Sequence, residues 1–211
     1  MLRKISLILI LLVALVVLVS LITSEKKTGP DTVKVKLETT MGDIHIDLYA
    51  DKAPITVNNF LKYIDNGLMN DGAFYRVVHM QNQEQNDIKI EVIQGGISGN
   101  SDIARYDPIP LERTSDTGLK HLDGTISMTR GAPDTAGSEF FICINDQPSL
   151  DFGGMRNPDG QGFAAFGMVT KGMDVVRAIQ SVKTDMPEGE LEYRSGQSVL
   201  EPVKFKSFAR E

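Results

Sequence analysis

Residues 137–145 read GSEFFICIN: two small residues, an acid, two adjacent phenylalanines, then an alternating run that holds the chain's single cysteine. A strand that buries one face needs bulk only at every second position. Here Phe140, Phe141, Ile142 and Ile144 offer bulk to both faces. One of the paired aromatics is therefore surplus to a one-sided core. It either completes a core on the second face or lines a pocket, and the neighbouring sequence bears on which.

Similar short segments lie on both sides. Val33, Val35 and Leu37 alternate with lysines and Glu38; after Thr39-Thr40-Met41-Gly42, Ile44, Ile46 and Leu48 alternate with Asp43, His45 and Asp47. That pattern predicts a β-hairpin about a glycine-bearing turn. Pro54 suits a first helical turn, Val57, Phe60, Leu61 and Ile64 follow at i, i+3, i+4 and i+7, and Gly67 ends the helix so predicted. Then come short apolar runs broken by Gly, Asn, Asp and Pro: AFYRVV, IKIEVIQGG, GTISMT, EFFICIN and GFAAFGMV. A second helix from Gly172 to about Val182 carries Met173, Val176, Ile179 and Val182 on one side, and Val203, Phe205 and Phe208 form a last strand. Many short strands with two isolated helices predict a mainly β, closed or nearly closed barrel rather than a βαβ array.

The first thirty residues are of another kind. Residues 5–23, ISLILILLVALVVLVSLIT, carry no charge and lie between Met1-Leu2-Arg3-Lys4 and Ser24-Glu25-Lys26-Lys27. At roughly 1.5 Å per residue they come close to the ~30 Å of a hydrocarbon core. The run is longer than a signal-peptide apolar region and no Ala-x-Ala cleavage site precedes Ser24, which favours an uncleaved signal anchor over 1–24 above a cleaved, secreted form. A short amino-terminal tail places the large domain outside the cytoplasm, single-pass at the cell membrane, although the charge bias is weak. Residues 25–31 are polar and contain Gly29-Pro30, a linker to a domain over 32–211.

Composition narrows the partners. The chain carries a net charge of −6, with four basic residues and one acid in residues 1–27, leaving about −9 for the remainder. An acidic domain without a basic stripe argues against nucleic acid as a partner, and the membrane is reached through the N-terminal helix alone. Cys143 has no partner for an internal disulfide, and its apolar strand predicts a buried, unreactive thiol. His45, His79 and His121 are scattered without metal-ligand spacing and read as solvated surface residues. No G-x-S-x-G, P-loop or G-x-G-x-x-G occurs. Asp134-Thr135-Ala136-Gly137 only grazes an aspartic-protease motif, and Asn157-Pro158-Asp159-Gly160 reads as a turn. Hydrolysis, phosphoryl transfer and redox chemistry all lack their parts.

The order of motifs resembles the cyclophilin family of peptidyl-prolyl isomerases over about residues 33–208. The pieces are Ala53-Pro54 to Gly67, Phe74-Tyr75-Arg76-Val77-Val78, Gln94-Gly95-Gly96, Gly124-Thr125-Ile126-Ser127-Met128, Gly137-Ser138-Glu139-Phe140-Phe141-Ile142, Leu150-Asp151, and Phe166-Gly167 to Gly172-Met173-Asp174-Val175-Val176. The resemblance implies an eight-stranded antiparallel β-barrel capped by two α-helices. It also implies a chemistry without acid, base, nucleophile, metal or cofactor: rotation about X-Pro bonds of polypeptide substrates. Arg76 is then the hydrogen-bond donor to the imide nitrogen, Gln94 orients it, and Phe141 floors a proline pocket. One phenylalanine of the pair faces core and the other substrate.

The departures set further expectations. An insertion supplied by HMQNQEQNDIKI separates Arg76 from Gln94. Counting back from Gln94 places Glu91 where the family has a pocket phenylalanine and Val92 where it has methionine, with Ile90 or Ile93 as alternatives for the pocket. Glu139 stands for glutamine, Thr129-Arg130 for Ala-Asn and Phe163 for histidine, while Leu150 is retained. Glu139 is placed to pair with the Arg76 guanidinium. Ser149 replaces a tryptophan whose indole serves cyclosporin recognition, so cyclosporin binding is expected to be weak. The acids Glu91, Glu139 and Asp134 imply a preference for basic residues beside the proline. Two functions are compatible with this pattern, an isomerase assisting the folding of exported proteins and a proline-peptide binding module with little turnover.

Overall fold

Strand alternation dictates the hairpin that opens the domain. In the computed structural model, which describes residues 32–97, 105–185 and 194–211, β1 (Thr32–Thr39) and β2 (Gly42–Tyr49) pair antiparallel through a two-residue turn, with Thr39 opposite Gly42. Val35, Leu37, Ile44, Ile46 and Leu48 are fully buried on one face. Further strands are β3 (Ala73–Val78), β4 (Val92–Gly96), β5 (Thr125–Met128), β6 (Phe140–Cys143), β7 (Ala165–Lys171), β8 (Thr184–Asp185) and β9 (Ser198–Arg210). Their order is β1-β2-β7-β5-β6-β4-β3-β9, and β9 pairs back onto β1, so eight antiparallel strands close a barrel. The dipeptide β8 adds a ninth short piece on β9.

The two predicted helices form as α1 (Pro54–Asp65) and α3 (Met173–Gln180). A one-turn helix, α2 (Thr114–Thr117), was not predicted; four residues carry no helical periodicity to read. The first turn of α1 has no side-chain cap from its own segment. Its orphan donors Ile55 N and Thr56 N bond instead to the Glu112 carboxylate at 3.1 and 2.8 Å. In β9 the buried residues pass from Phe205 to Phe208, three apart. The β1 register explains this: Glu38 faces Ser207 and Thr39 faces Phe205, so a bulge at Lys206 resets the alternation. The anchor over 1–24 and linker over 25–31 lie outside the described residues; among these, no helix is long and apolar enough to cross a membrane.

The paired phenylalanines separate as alternation requires. Phe140 points into the barrel, fully buried, with ring contacts to Phe60 of α1 at 5.3 Å, Phe74 at 5.8 Å and Phe205 at 6.1 Å. Phe141 points outward and belongs to a second, smaller apolar cluster with Val78, Ile90, Val92, Cys143 and Leu150. Gly95, opposite Phe140, leaves room for the aromatic interior: a Cβ there would lie 2.8 Å from the Phe74 ring and 2.7 Å from the Ala73 carbonyl oxygen. Because Phe140 of β6 joins α1 to β3 and β9, Phe140→Ala is expected to lower stability by about 3–5 kcal/mol. Urea unfolding, followed by circular dichroism against the parent chain, reads this as a shift in midpoint at unchanged slope.

Candidate active site

The site begins with an irregularity in β3. Phe74 lies opposite Gly95 and Arg76 opposite Gln94, so Tyr75 and Arg76 together face one residue of β4. In an uninterrupted strand, residues two apart share a face, and Arg76 would follow the fully buried Phe74 into the barrel. The bulge turns it outward instead. Arg76, Gln94, Phe141 and Ser127 then form one rung across β3, β4, β6 and β5. At ~4.8 Å between strands, side chains on such a rung are immediate neighbours.

Arg76 is held from both sides. Its Nη1 donates to Gln94 Oε1 at 2.8 Å, and its Nε and Nη2 donate to Gln197 Oε1 at 2.9 and 2.6 Å. Gln197, fully buried, donates in turn to the Asn82 carbonyl at 2.9 Å. On the other side Gln94 Nε2 donates to the Tyr75 hydroxyl, which donates to Glu139 Oε2, each at 2.7 Å. Glu139 therefore meets Arg76 through two intermediates rather than by the direct ion pair expected from sequence. Burial, with the Glu139 carboxylate adding to it, raises the Tyr75 phenol well above its ordinary pKa and keeps it a donor. With that proton fixed, the Gln94 amide has one orientation, nitrogen to Tyr75 and oxygen to Arg76.

Beside the rung lies an apolar pocket within a cleft of about 620 Å³. Phe141, Leu150, Val92 and Phe163 line it as expected, joined by Ile90. Glu91 does not. Its carboxylate accepts from Asn145 at 2.7 Å outside the cleft, while Ile93 joins the barrel core, so Ile90 fills the pocket. The insertion achieves this through Gln83, fully buried, which bonds both the N–H and the carbonyl of Ile90 at 3.1 and 2.7 Å. Thr129 and Arg130 also line the cleft. Arg130 grips Asp159 of the Asn157–Gly160 turn at 2.6 and 2.9 Å and lies 5.1 Å from the Phe163 ring centre. Asp134 caps Leu111 N–H and does not line the cleft, so of the three acids expected there only Glu139 does.

The floor rests on a buried polar chain, which overturns the reading of His121 as a solvated residue. His121, 1 % exposed, lies parallel to Phe141 with ring centres 5.9 Å apart. Its Nδ1 is 2.8 Å from Asp151 Oδ1 and its Nε2 2.9 Å from Ser127 Oγ. Burial lowers the imidazole pKa despite the nearby carboxylate. Burial alone would raise Asp151, yet its bonds from His121 bring it below the usual carboxylate value. The consistent state is a neutral His121 donating from Nδ1 to ionised Asp151 and accepting from Ser127. Ser127 is fully buried beneath the floor, so this Ser-His-Asp chain braces the pocket and presents no nucleophile. Cys143 is buried as expected, and burial pushes its thiol pKa up.

Tyr75, Gln197, His121 and Gln83 escaped the sequence. One signal was available for the bulge: a charged residue two positions after a core phenylalanine has no place in a regular strand. The others are polar groups paired across long chain separations, where no local pattern exists. His121 has a pH consequence. Its folded pKa lies below the unfolded value of about 6.5, so below that pH the unfolded chain binds a proton the folded chain refuses. Stability then falls on acidification from about pH 6.5 until the folded pKa is passed, by at most about 1.4 kcal/mol per pH unit from this group. In His121→Asn the slope of unfolding free energy between pH 6.5 and 5 is expected to flatten, whatever the absolute loss.

The model of the family described as cyclophilin type peptidyl-prolyl cis-trans isomerase matches residues 34–203. Peptidyl-prolyl cis-trans isomerase A of Dickeya dadantii is 38% identical over 152 residues, covering 72% of this chain and 73% of its own. A peptidyl-prolyl cis-trans isomerase of Streptomyces antibioticus is 34% identical over 172 residues, 81% of this chain and 96% of its own. Among solved structures, a Cryptosporidium parvum cyclophilin type isomerase superposes with a TM-score of 0.64 over 85% of this chain and 98% of its own, at 19% identity, a likeness of fold alone. Barrel, motif order and relatives agree: the chain belongs to the cyclophilin-type peptidyl-prolyl cis-trans isomerase family and is an enzyme of that class.

Proposed function

We propose that Arg76 carries the catalysis of X-Pro rotation in this chain, with the proline ring held on Phe141. Rotation about a peptide C–N bond faces a barrier of about 18–20 kcal/mol, because resonance between nitrogen and carbonyl is lost on twisting. The twisted nitrogen regains a lone pair, and a donor placed beside it is worth more in that state than in the planar one. Arginine suits the role, since it remains charged and its fork is rigid. The observation that carries this reading is the pair of acceptors, Gln94 and Gln197, that fix the guanidinium in the same cleft as the apolar pocket. The Cryptosporidium protein has also been solved in the presence of the dipeptide Ala-Pro, the ligand class proposed here. Cyclosporin is proposed to bind weakly, since Ser149 does not line the cleft and offers no indole donor.

No proton is transferred, so kcat/KM on an X-Pro peptide is expected to be level from about pH 6.5 to 9. Arg76→Ala is expected to lower it by about two to three orders of magnitude. Gln197→Ala, which frees the guanidinium on one side, is expected to lower it by about tenfold, mostly in kcat. NMR exchange on a short peptide measures each rate. Full activity in Arg76→Ala removes the mechanism, and saturable peptide binding without acceleration in the parent chain identifies a binding module.

The cellular role proposed is assistance to the folding of exported proteins at the membrane surface. The barrel would lie on the extracytoplasmic side, tethered by residues 5–23. The support is the uncharged nineteen-residue run between two basic clusters, with no cleavage site before Ser24. Carbonate-washed membranes are expected to retain the protein with its amino-terminal residues intact. A soluble product beginning near Ser24 or later overturns the tether and leaves the barrel chemistry in place.

A further inference from the structure

Among the described residues, five arginines line the cleft, Arg76, Arg105, Arg130, Arg156 and Arg194, with one carboxylate, Glu139, in a chain that is net acidic. Three of the five have partners of their own: Arg76 its glutamines, Arg130 Asp159, and Arg194 as well. Arg105 and Arg156 differ. Arg105 donates to Ser138 Oγ at 3.2 Å and to the Ile97 carbonyl. Arg156 donates to the Ile88 carbonyl and, at 3.4 Å, to Gln83 Oε1. All of these acceptors are neutral, and among the described residues neither guanidinium forms an ion pair. Arg156 is half-buried and Arg105 is exposed; a guanidinium bonded only to neutral acceptors keeps its charge for an incoming anion, and partial withdrawal from water strengthens that attraction at Arg156.

The two positions bracket the pocket. Ile97, bonded by Arg105, lies three residues beyond Gln94, the cross-strand partner of Phe141, or roughly 10 Å of extended chain. Ile88, bonded by Arg156, lies two residues before Ile90 in the pocket wall. We propose that this groove selects proline segments carrying a carboxylate side chain, Asp or Glu, two or three residues from the proline, held by Arg105 on one flank and by Arg156 on the other. The inference rests on the reading of the cleft as the proline-peptide site, and it reverses the basic-flank preference expected from the sequence.

The test uses the full-length protein and proline peptides with Glu, Gln or Lys placed two or three residues to either side of the proline. At low ionic strength kcat/KM is expected to fall in the order Glu, Gln, Lys, spanning about three- to tenfold from Glu to Lys. The span is expected to narrow in ~0.5 M salt. Arg105→Gln brings the Glu-to-Gln ratio towards one for peptides modified on one flank, Arg156→Gln does so for the other, and Arg105→Lys retains part of the preference. Ratios taken within one variant cancel any loss of folded protein. Fluorescence anisotropy on the same peptides reads selection without turnover, so an inactive protein would fail the isomerase reading and still decide this one. Lys peptides used or bound as well as Glu peptides, or a Glu-to-Gln ratio unchanged in both glutamine variants, overturns the proposal.

Discussion

A strand that carries both a core aromatic and a guanidinium two residues later must break its own alternation, and the bulge at Tyr75–Arg76 is where this one does. The consequence for energy is direct. An arginine sent into the barrel would leave a charge among Phe60, Phe74 and Phe140, at a desolvation cost of several kcal/mol without a partner. The bulge removes that conflict with one unpaired residue. It also puts Tyr75 and Arg76 on the same outer surface, where the phenol and the guanidinium reach opposite ends of the Gln94 amide. The fold core and the chemistry thus share a strand without sharing a face.

Around that point the polar groups form a chain rather than a cluster. Glu139 is too far along the network to neutralise Arg76 by contact, and its effect is instead geometric. It fixes Tyr75, Tyr75 fixes Gln94, and Gln94 presents only its oxygen to the guanidinium. A buried network of this type is strong only when every member is satisfied. The His121–Asp151–Ser127 chain under Phe141 follows the same logic one layer down. Buried polar side chains that exchange hydrogen bonds define a single packing for the aromatic floor above them.

Much of this was legible from the residues. Alternation in residues 33–48 and the apolar face of residues 54–64 specified the hairpin and α1, because local burial patterns follow directly from the periods of strand and helix. Arg76, Gln94, Phe141 and Leu150 were legible through motif order. The paired phenylalanines also divided as alternation demanded. What was not legible depends on distance along the chain. Gln197 lies 121 residues from the arginine it holds, and His121 lies 30 from the carboxylate that keeps it buried. The inserted loop misled for another reason: counting residues back from Gln94 assumes a continuous strand, whereas β4 begins only at Val92 and Glu91 already leaves it. Of the acids close in sequence to the motif, Glu91 and Asp134 turn to other partners, which local sequence does not reveal.

The loop from His79 to Glu91 has a backbone contact with the arginine's own support, since the carbonyl that receives Gln197 belongs to Asn82. Exposed loops open with smaller free energies than the strands that frame them. Opening of this loop would free the amide of Gln197 from Asn82, and so loosen one support of the guanidinium, while the backbone of Gln197 stays bonded to Val77 and Arg194. The order of the guanidinium is thus tied to a span outside the barrel, fastened by Gln83 and Asn82, as well as to the phenylalanine core.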